Sequence, residues 1–138
     1  MSKKYKGLKR TPRDKTLDDL QRRYIRLISG GYCKRCGEYV GERMIEVAHI
    51  YRRNRKTVRW DFRNVYPLCK DNPLTGRKGC HYQLDSDPIK MASFLYDVLT
   101  TEEVEDLQRL ANMTIKDYPI DREKIKAELK EKIRLLEV

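Results

Sequence analysis

The sequence predicts a small α+β fold: a cysteine-pinned core of two strands and a short helix, between an N-terminal helix and a helical tail. Three observations predict it. Cys33 and Cys36 in a Cys-x-x-Cys turn, with Cys69 and Cys80 later, supply the four thiols of a closed tetrahedral metal site. Two short segments between them read as strands. On either side, apolar residues recur at helical spacing behind capping residues.

The 138 residues are most simply a basic arm over 1–15 and one domain over 16–138, with its core at 30–86 and its tail at 87–138. Charged residues make up 38% of the chain and the mean hydropathy is −0.82, so a bound metal would stabilise a core that is thin for its length.

Thr16 can cap a first helix from Leu17 to about Ser29, with Leu17, Leu20, Tyr24, Leu27 and Ile28 turned inward. Gly30-Gly31 ends it and leads into the Cys33/Cys36 turn. Met44 to Ile50 reads as a strand and Asn64 to Leu68 as a second one returning beside it. Lys70 to Gly79, ten residues where two would be ordinary, must loop out so that Cys69 and Cys80 can converge. A short helix near Gly79 holds Cys80, His81 and Asp85. Asp87-Pro88 starts a helix to about Leu99, and Thr100 with Glu103 forms a capping box for one through Leu110. Pro119 and Asp121 open the last helix, whose Ile125, Leu129, Ile133 and Leu136 form an apolar stripe for the core or, less simply, for a partner helix.

The chain carries 31 Lys and Arg against 21 Asp and Glu, a net charge of +10. Such an excess points to a polyanionic partner. Lys3, Lys4, Lys6, Lys9, Arg10, Arg13 and Lys15 form an arm opposed only by Asp14. Arg52, Arg53, Arg55, Lys56, Arg59 and Arg63 form a second cluster, opposed in sequence only by Asp61, and are the candidate nucleic-acid contacts. No stretch approaches the roughly 18–20 apolar residues of a membrane span, and no secretory signal opens the chain. A cytoplasmic protein with no membrane partner is expected, and its thiols then read as ligands of a structural zinc rather than as disulfides. A redox dithiol is disfavoured, because no thioredoxin-like pattern surrounds Cys33. Inert buried thiols are the remaining alternative.

Both histidines of the chain lie between or beside the cysteines. On an alternating strand, Val47 and His49 face one way and Glu46, Ala48 and Ile50 the other. Phosphodiester hydrolysis needs a base of near-neutral pKa to activate water, and His49 is the natural choice. It also needs a cation on the scissile phosphate. His81, directly after Cys80, is either a spare zinc ligand or a ligand of a catalytic Mg²⁺ or Mn²⁺. As hard cations prefer oxygen, Asp61 or Asp85 should accompany it.

His49, Asn64 and His81, flanked by the four cysteines, resemble the HNH endonuclease superfamily with its ββα-metal site. The segment Asn64-Val65-Tyr66-Pro67-Leu68-Cys69 and the pair Cys80-His81 carry that resemblance. A closer similarity, to phage recombination nucleases of the NinG (Rap) type, rests on Tyr24-Ile25-Arg26-Leu27, on 48–53, on 58–64 and on the tail containing Leu99 to Leu110. The resemblance implies a zinc-stabilised ββα-metal core and a DNA endonuclease of phage recombination, processing or restriction. It implies His49 as general base, Asn64 as the tether of the catalytic loop and His81 as a metal ligand. Two departures stand out. Many such sites carry an acidic ligand immediately before the base, where this chain has Ala48, so Asp61 is the expected replacement and Asp85 the alternative. The NinG-type proteins tend to end the second cysteine turn in Asn, where this chain has His81. A non-catalytic zinc module binding DNA or RNA is the competing reading, and the substrate, duplex or branched, stays open.

Overall fold

The computed structural model describes residues 11–137, so most of the expected basic arm lies outside the described residues. These residues form α1 (Asp14–Ser29), β1 (Ile45–His49), β2 (Val65–Cys69), α2 (Cys80–Asp85), α3 (Pro88–Val98), α4 (Thr101–Ala111) and α5 (Arg122–Leu136). Short 3-10 turns at Glu42–Met44 and Phe62–Asn64 lead into the two strands. Among the described residues no helix is long and apolar enough to cross a membrane.

Helix α1 begins at Asp14, not after Thr16, so Asp14 and Lys15 belong to the helix and not to an arm. The side chain of Asp14, a favourable charge in a first turn, is gripped by Arg122, Arg59 and Lys56. At the other end Gly30 adopts the left-handed conformation (φ 56°) and returns its N–H to the Arg26 carbonyl. The buried face is Leu17, Gln21, Ile25 and Ser29, while Leu27 and Ile28, expected inside, are exposed. Counting apolar residues misplaced this face because the neighbours of α1 select it. The helix crosses both strands and runs alongside α5, whose Leu129 and Ile133 are buried. Ion pairs of Asp14 with Arg122 and of Arg23 with Glu137 brace the two ends of that α1–α5 contact.

The strands form an antiparallel pair in which Ile45 faces Cys69 and His49 faces Val65. Pro67 is tolerated because a two-stranded sheet is all edge, and its carbonyl accepts the Lys34 N–H at 2.9 Å, tying the Cys33/Cys36 turn to β2. Burial along β1 does not alternate: Ile45 and Ala48 are buried, whereas Glu46, Val47 and His49 are half-buried. Both strands touch α1, and α2 packs on β2.

The helix starts follow their capping chemistry. Asp87 accepts from the Ile89 and Lys90 N–H groups ahead of Pro88, and Thr100 and Glu103 complete a reciprocal capping box. Asp121 accepts from the Lys124 N–H. The tail is part of the same core: Phe94, Leu95 and Val104 pack with Ile45, Leu68, Leu84 and three of the cysteines. A smaller cluster of Val58, Leu107, Leu110 and Ala111 fastens the 50–63 loop to α4.

Candidate metal centre and histidine site

The turn at Cys33–Gly37, the end of β2 and the start of α2 bring Cys33, Cys36, Cys69 and Cys80 together, each sulfur within 4.8 Å of the others. Three of the four are buried, and all are free thiols. The Cys69 N–H points at the Cys33 sulfur (3.4 Å) and the Cys80 N–H at the Cys69 sulfur (3.3 Å). Such donors favour thiolate, the form that binds metal. Burial pushes the Cys69 and Cys80 thiols upward, so loading the cluster must release protons and its affinity must rise with pH. Four soft sulfur donors suit a tetrahedral ion, and the cluster can hold one.

His81 lies beside this cluster on the first turn of α2, half-buried. Its two ring nitrogens face two carboxylates: Nδ1 is 3.1 Å from Glu46 Oε1, and Nε2 is 3.6 Å from Asp85 Oδ2. Asp61, the expected partner, is engaged elsewhere. Its Oδ1 accepts from the Arg63 N–H at 2.9 Å and its Oδ2 pairs with the Arg63 guanidinium at 2.7 Å, so it caps the Phe62–Asn64 turn. The reason is local: a carboxylate two residues before an arginine closes on it at once. Of the two named carboxylates, the structure brings Asp85 to His81. Glu46 was missed, though strand alternation already set it on the face of Ala48, where a carboxylate is lacking.

His49 is the last residue of β1. Its Nε2 is 3.1 Å from the Arg59 carbonyl, an acceptor only, so Nε2 carries the proton and Nδ1 keeps its lone pair. Burial, and then the nearby Arg53 cation, hold its pKa below the ordinary histidine value, so the ring is neutral at pH 7. Fully buried Asn64 fixes the loop that supplies that carbonyl. Its Oδ1 accepts from the Tyr51 N–H at 2.7 Å, and its Nδ2 donates to the Tyr51 and Val58 carbonyls, both at 3.1 Å. One side chain thereby ties both arms of the 50–63 loop, and the Ile50 N–H adds a bond to the Asn64 carbonyl.

The six expected nucleic-acid contacts divide. Arg59 pairs with Asp18 (2.6 Å) and Asp14 (3.3 Å), next to Trp60, whose indole N–H also reaches Asp18. Arg63 bridges Asp61 and Asp106, and the Asp61 bonds push its pKa up further. Arg55 donates to the Ala111 carbonyl, and Lys56 approaches Asp14 at 3.4 Å. Arg59 and Arg63 are therefore struts rather than open contacts. The sequence hid this because Asp14, Asp18 and Asp106 lie more than forty residues away along the chain. Arg52 and Arg53 remain exposed, with no side-chain ion pair among the described residues.

Fold and site together define a small α+β protein with a four-cysteine cluster able to hold a metal ion. No family model matches the chain, and neither a curated protein nor a solved structure matches it.

Proposed function

We propose that this chain is a metal-dependent endonuclease of the HNH type that hydrolyses phosphodiester bonds in DNA. The observation that carries the reading is His49: a neutral imidazole whose Nε2 is anchored on the Arg59 carbonyl and whose Nδ1 is left as a base. In that role Nδ1 takes a proton from water, the resulting hydroxide attacks phosphorus, and the bond to the leaving ester oxygen breaks. Asn64 holds the loop so that the carbonyl, and with it the ring, cannot turn. Exposed Arg52 and Arg53 neutralise backbone phosphates beside the base.

In this reading Cys33, Cys36, Cys69 and Cys80 bind structural zinc, which suits an all-sulfur site inside the core. His81 would hold a catalytic Mg²⁺ or Mn²⁺ on one ring nitrogen together with the carboxylate on that side, Glu46 beside Nδ1 or Asp85 beside Nε2, because a hard divalent ion needs oxygen alongside an imidazole. Such an ion supplies Lewis-acid stabilisation of the charge on the departing oxygen.

Supercoiled plasmid incubated with the purified protein and Mg²⁺ or Mn²⁺ tests the reading. Nicked and linear products that EDTA suppresses are expected. Salt-sensitive binding that leaves the plasmid intact with every divalent ion tried would replace it with the non-catalytic zinc module.

A further inference from the structure

The carbonyl that meets His49 belongs to the peptide joining Arg59 to Trp60. That peptide is the middle one of a turn closed by the Asp61 N–H on the Val58 carbonyl at 3.1 Å. The closing bond spans the middle peptide without touching it. Asn64 takes the Val58 carbonyl, one residue short of the carbonyl that holds His49. The direction of the Arg59 carbonyl is therefore set by the side chains on either side of it.

Both of those side chains end on one carboxylate from another element. Asp18, in the second turn of α1, accepts from Arg59 Nε at 3.2 Å and from Arg59 Nη2 at 2.6 Å. Its Oδ1 also accepts from the Trp60 indole N–H at 2.9 Å. The contact is shielded from water, with 12% of the Asp18 side chain and 13% of the Arg59 side chain exposed, and Trp60 is buried. Asp14 reaches Arg59 too, at 3.3 Å, but divides its charge among Arg59, Arg122 and Lys56. A carboxylate that grips the residues before and after a peptide bond holds the peptide between them. Its charge bears on the ring as well. Burial, Arg53 and the Arg59 guanidinium lower the His49 pKa, whereas the Arg59 carbonyl bond and the Asp18 charge raise it. Arg53 and Arg59 come from the loop and Asp18 from α1, while Val65, opposite His49 on β2, carries no charge.

We propose that Asp18 is a positioning residue for His49: through Arg59 and Trp60 it fixes the carbonyl that holds the imidazole, which makes α1 part of the site. The proposal rests on the nuclease reading for the reaction that the ring serves. In that reaction a base misplaced by about 1 Å can cost about a hundredfold in rate.

The test compares Asp18→Asn and Trp60→Phe with Asp106→Asn in the zinc-loaded full chain. Asp106→Asn takes an ion pair from Arg63 and leaves the Arg59–Trp60 peptide alone. Nitrogen NMR follows the imidazoles, with His49 assigned by the signal missing from His49→Ala, and plasmid cleavage is measured alongside. Asp18→Asn should quicken exchange of the His49 Nε2 proton with water and lower the pKa of the ring. It should also cut kcat by about tenfold to a hundredfold, with KM held within about twofold. Trp60→Phe keeps the charge and loses one donor, so it should quicken the exchange by less. Asp106→Asn should leave the His49 exchange and pKa at their wild-type values, whatever it does to the melting temperature. Wild-type exchange and pKa in Asp18→Asn, or the same changes in Asp106→Asn, would overturn the proposal. Should Asp18→Asn not fold, unchanged exchange in Trp60→Phe overturns it equally. A ring that depends on Asp18 in a protein that leaves plasmid intact keeps the positioning and removes the nuclease. Cleavage with an unaltered ring in Asp18→Asn keeps the nuclease and removes the positioning.

Discussion

At the Ile45–Cys69 end of the hairpin four thiols gather inside the main core, whereas at the His49–Val65 end a half-exposed imidazole rests on the carbonyl of a loop. Between them lies one five-residue strand, about 13 Å long. With a metal bound, the four thiols at the cysteine end would substitute for apolar surface that the chain lacks, so those thiols bear on stability, while His81 beside them belongs to the proposed catalytic ion. The His49 end is fixed by hydrogen bonds and ion pairs that leave one ring nitrogen unused, and in the proposed function that nitrogen is the base. Substitutions at the two ends should separate along that line.

The largest effect belongs to the cysteine end. In the proposed zinc site Cys69→Ser removes a ligand, and such sites are worth about 10–16 kcal/mol in zinc peptides, as much as the whole stability of an ordinary domain. Circular dichroism should show loss of cooperative folding, and metal analysis should show loss of about one zinc per chain. A folded, cooperative Cys69→Ser protein would break the comparison.

Asn64→Ala comes next and touches both properties. It leaves the Tyr51 N–H and carbonyl without their partner and the Val58 carbonyl with the Asp61 N–H alone. A destabilisation of about 3 kcal/mol in urea titration is expected, with zinc retained and cleavage slowed.

The arginines sharpen the contrast within the histidine end. Arg59→Met should lower the melting temperature, because it leaves part-buried Asp18 with the Trp60 indole N–H in place of its ion pair and takes one of three cations from Asp14. Arg52→Gln with Arg53→Gln should leave the melting temperature alone and reduce the salt slope of DNA binding by about two. Equal effects of the two changes on both measurements would erase the distinction between strut and contact.

The smallest effect concerns pH. In the proposed mechanism the neutral imidazole is the base, so the cleavage rate should fall as acid protonates His49, and its lowered pKa sets that fall below the ordinary histidine value of about 6.5. Burial is the first cause of the shift and the Arg53 cation the second. Arg53→Gln should therefore move the acid limb of the rate profile upward. A limb that does not respond assigns the titration to another group.

What the sequence made legible is local. Capping at Asp87, Thr100 and Asp121 reads directly because donor and acceptor are neighbours in the chain. The convergence of the four thiols was also readable, since their spacing leaves few other arrangements. The strand ends shifted by one residue, with Asn64 outside β2 and Cys69 within it. What escaped was tertiary. The buried face of α1 is selected by the hairpin and α5, Arg59 is neutralised by a helix forty-one residues upstream, and Glu46 meets His81 only because α2 packs beside the strand pair. Asp61 departs from the expectation for the opposite reason: it closes on Arg63, two residues on, over a short-range bond.

His49→Ala in the zinc-loaded protein, assayed on supercoiled plasmid with Mn²⁺, tests the central claim most directly. The rate should fall by about a hundredfold to ten-thousandfold, while zinc content, melting temperature and DNA affinity stay at their wild-type values. Cleavage at the wild-type rate by His49→Ala would contradict the account.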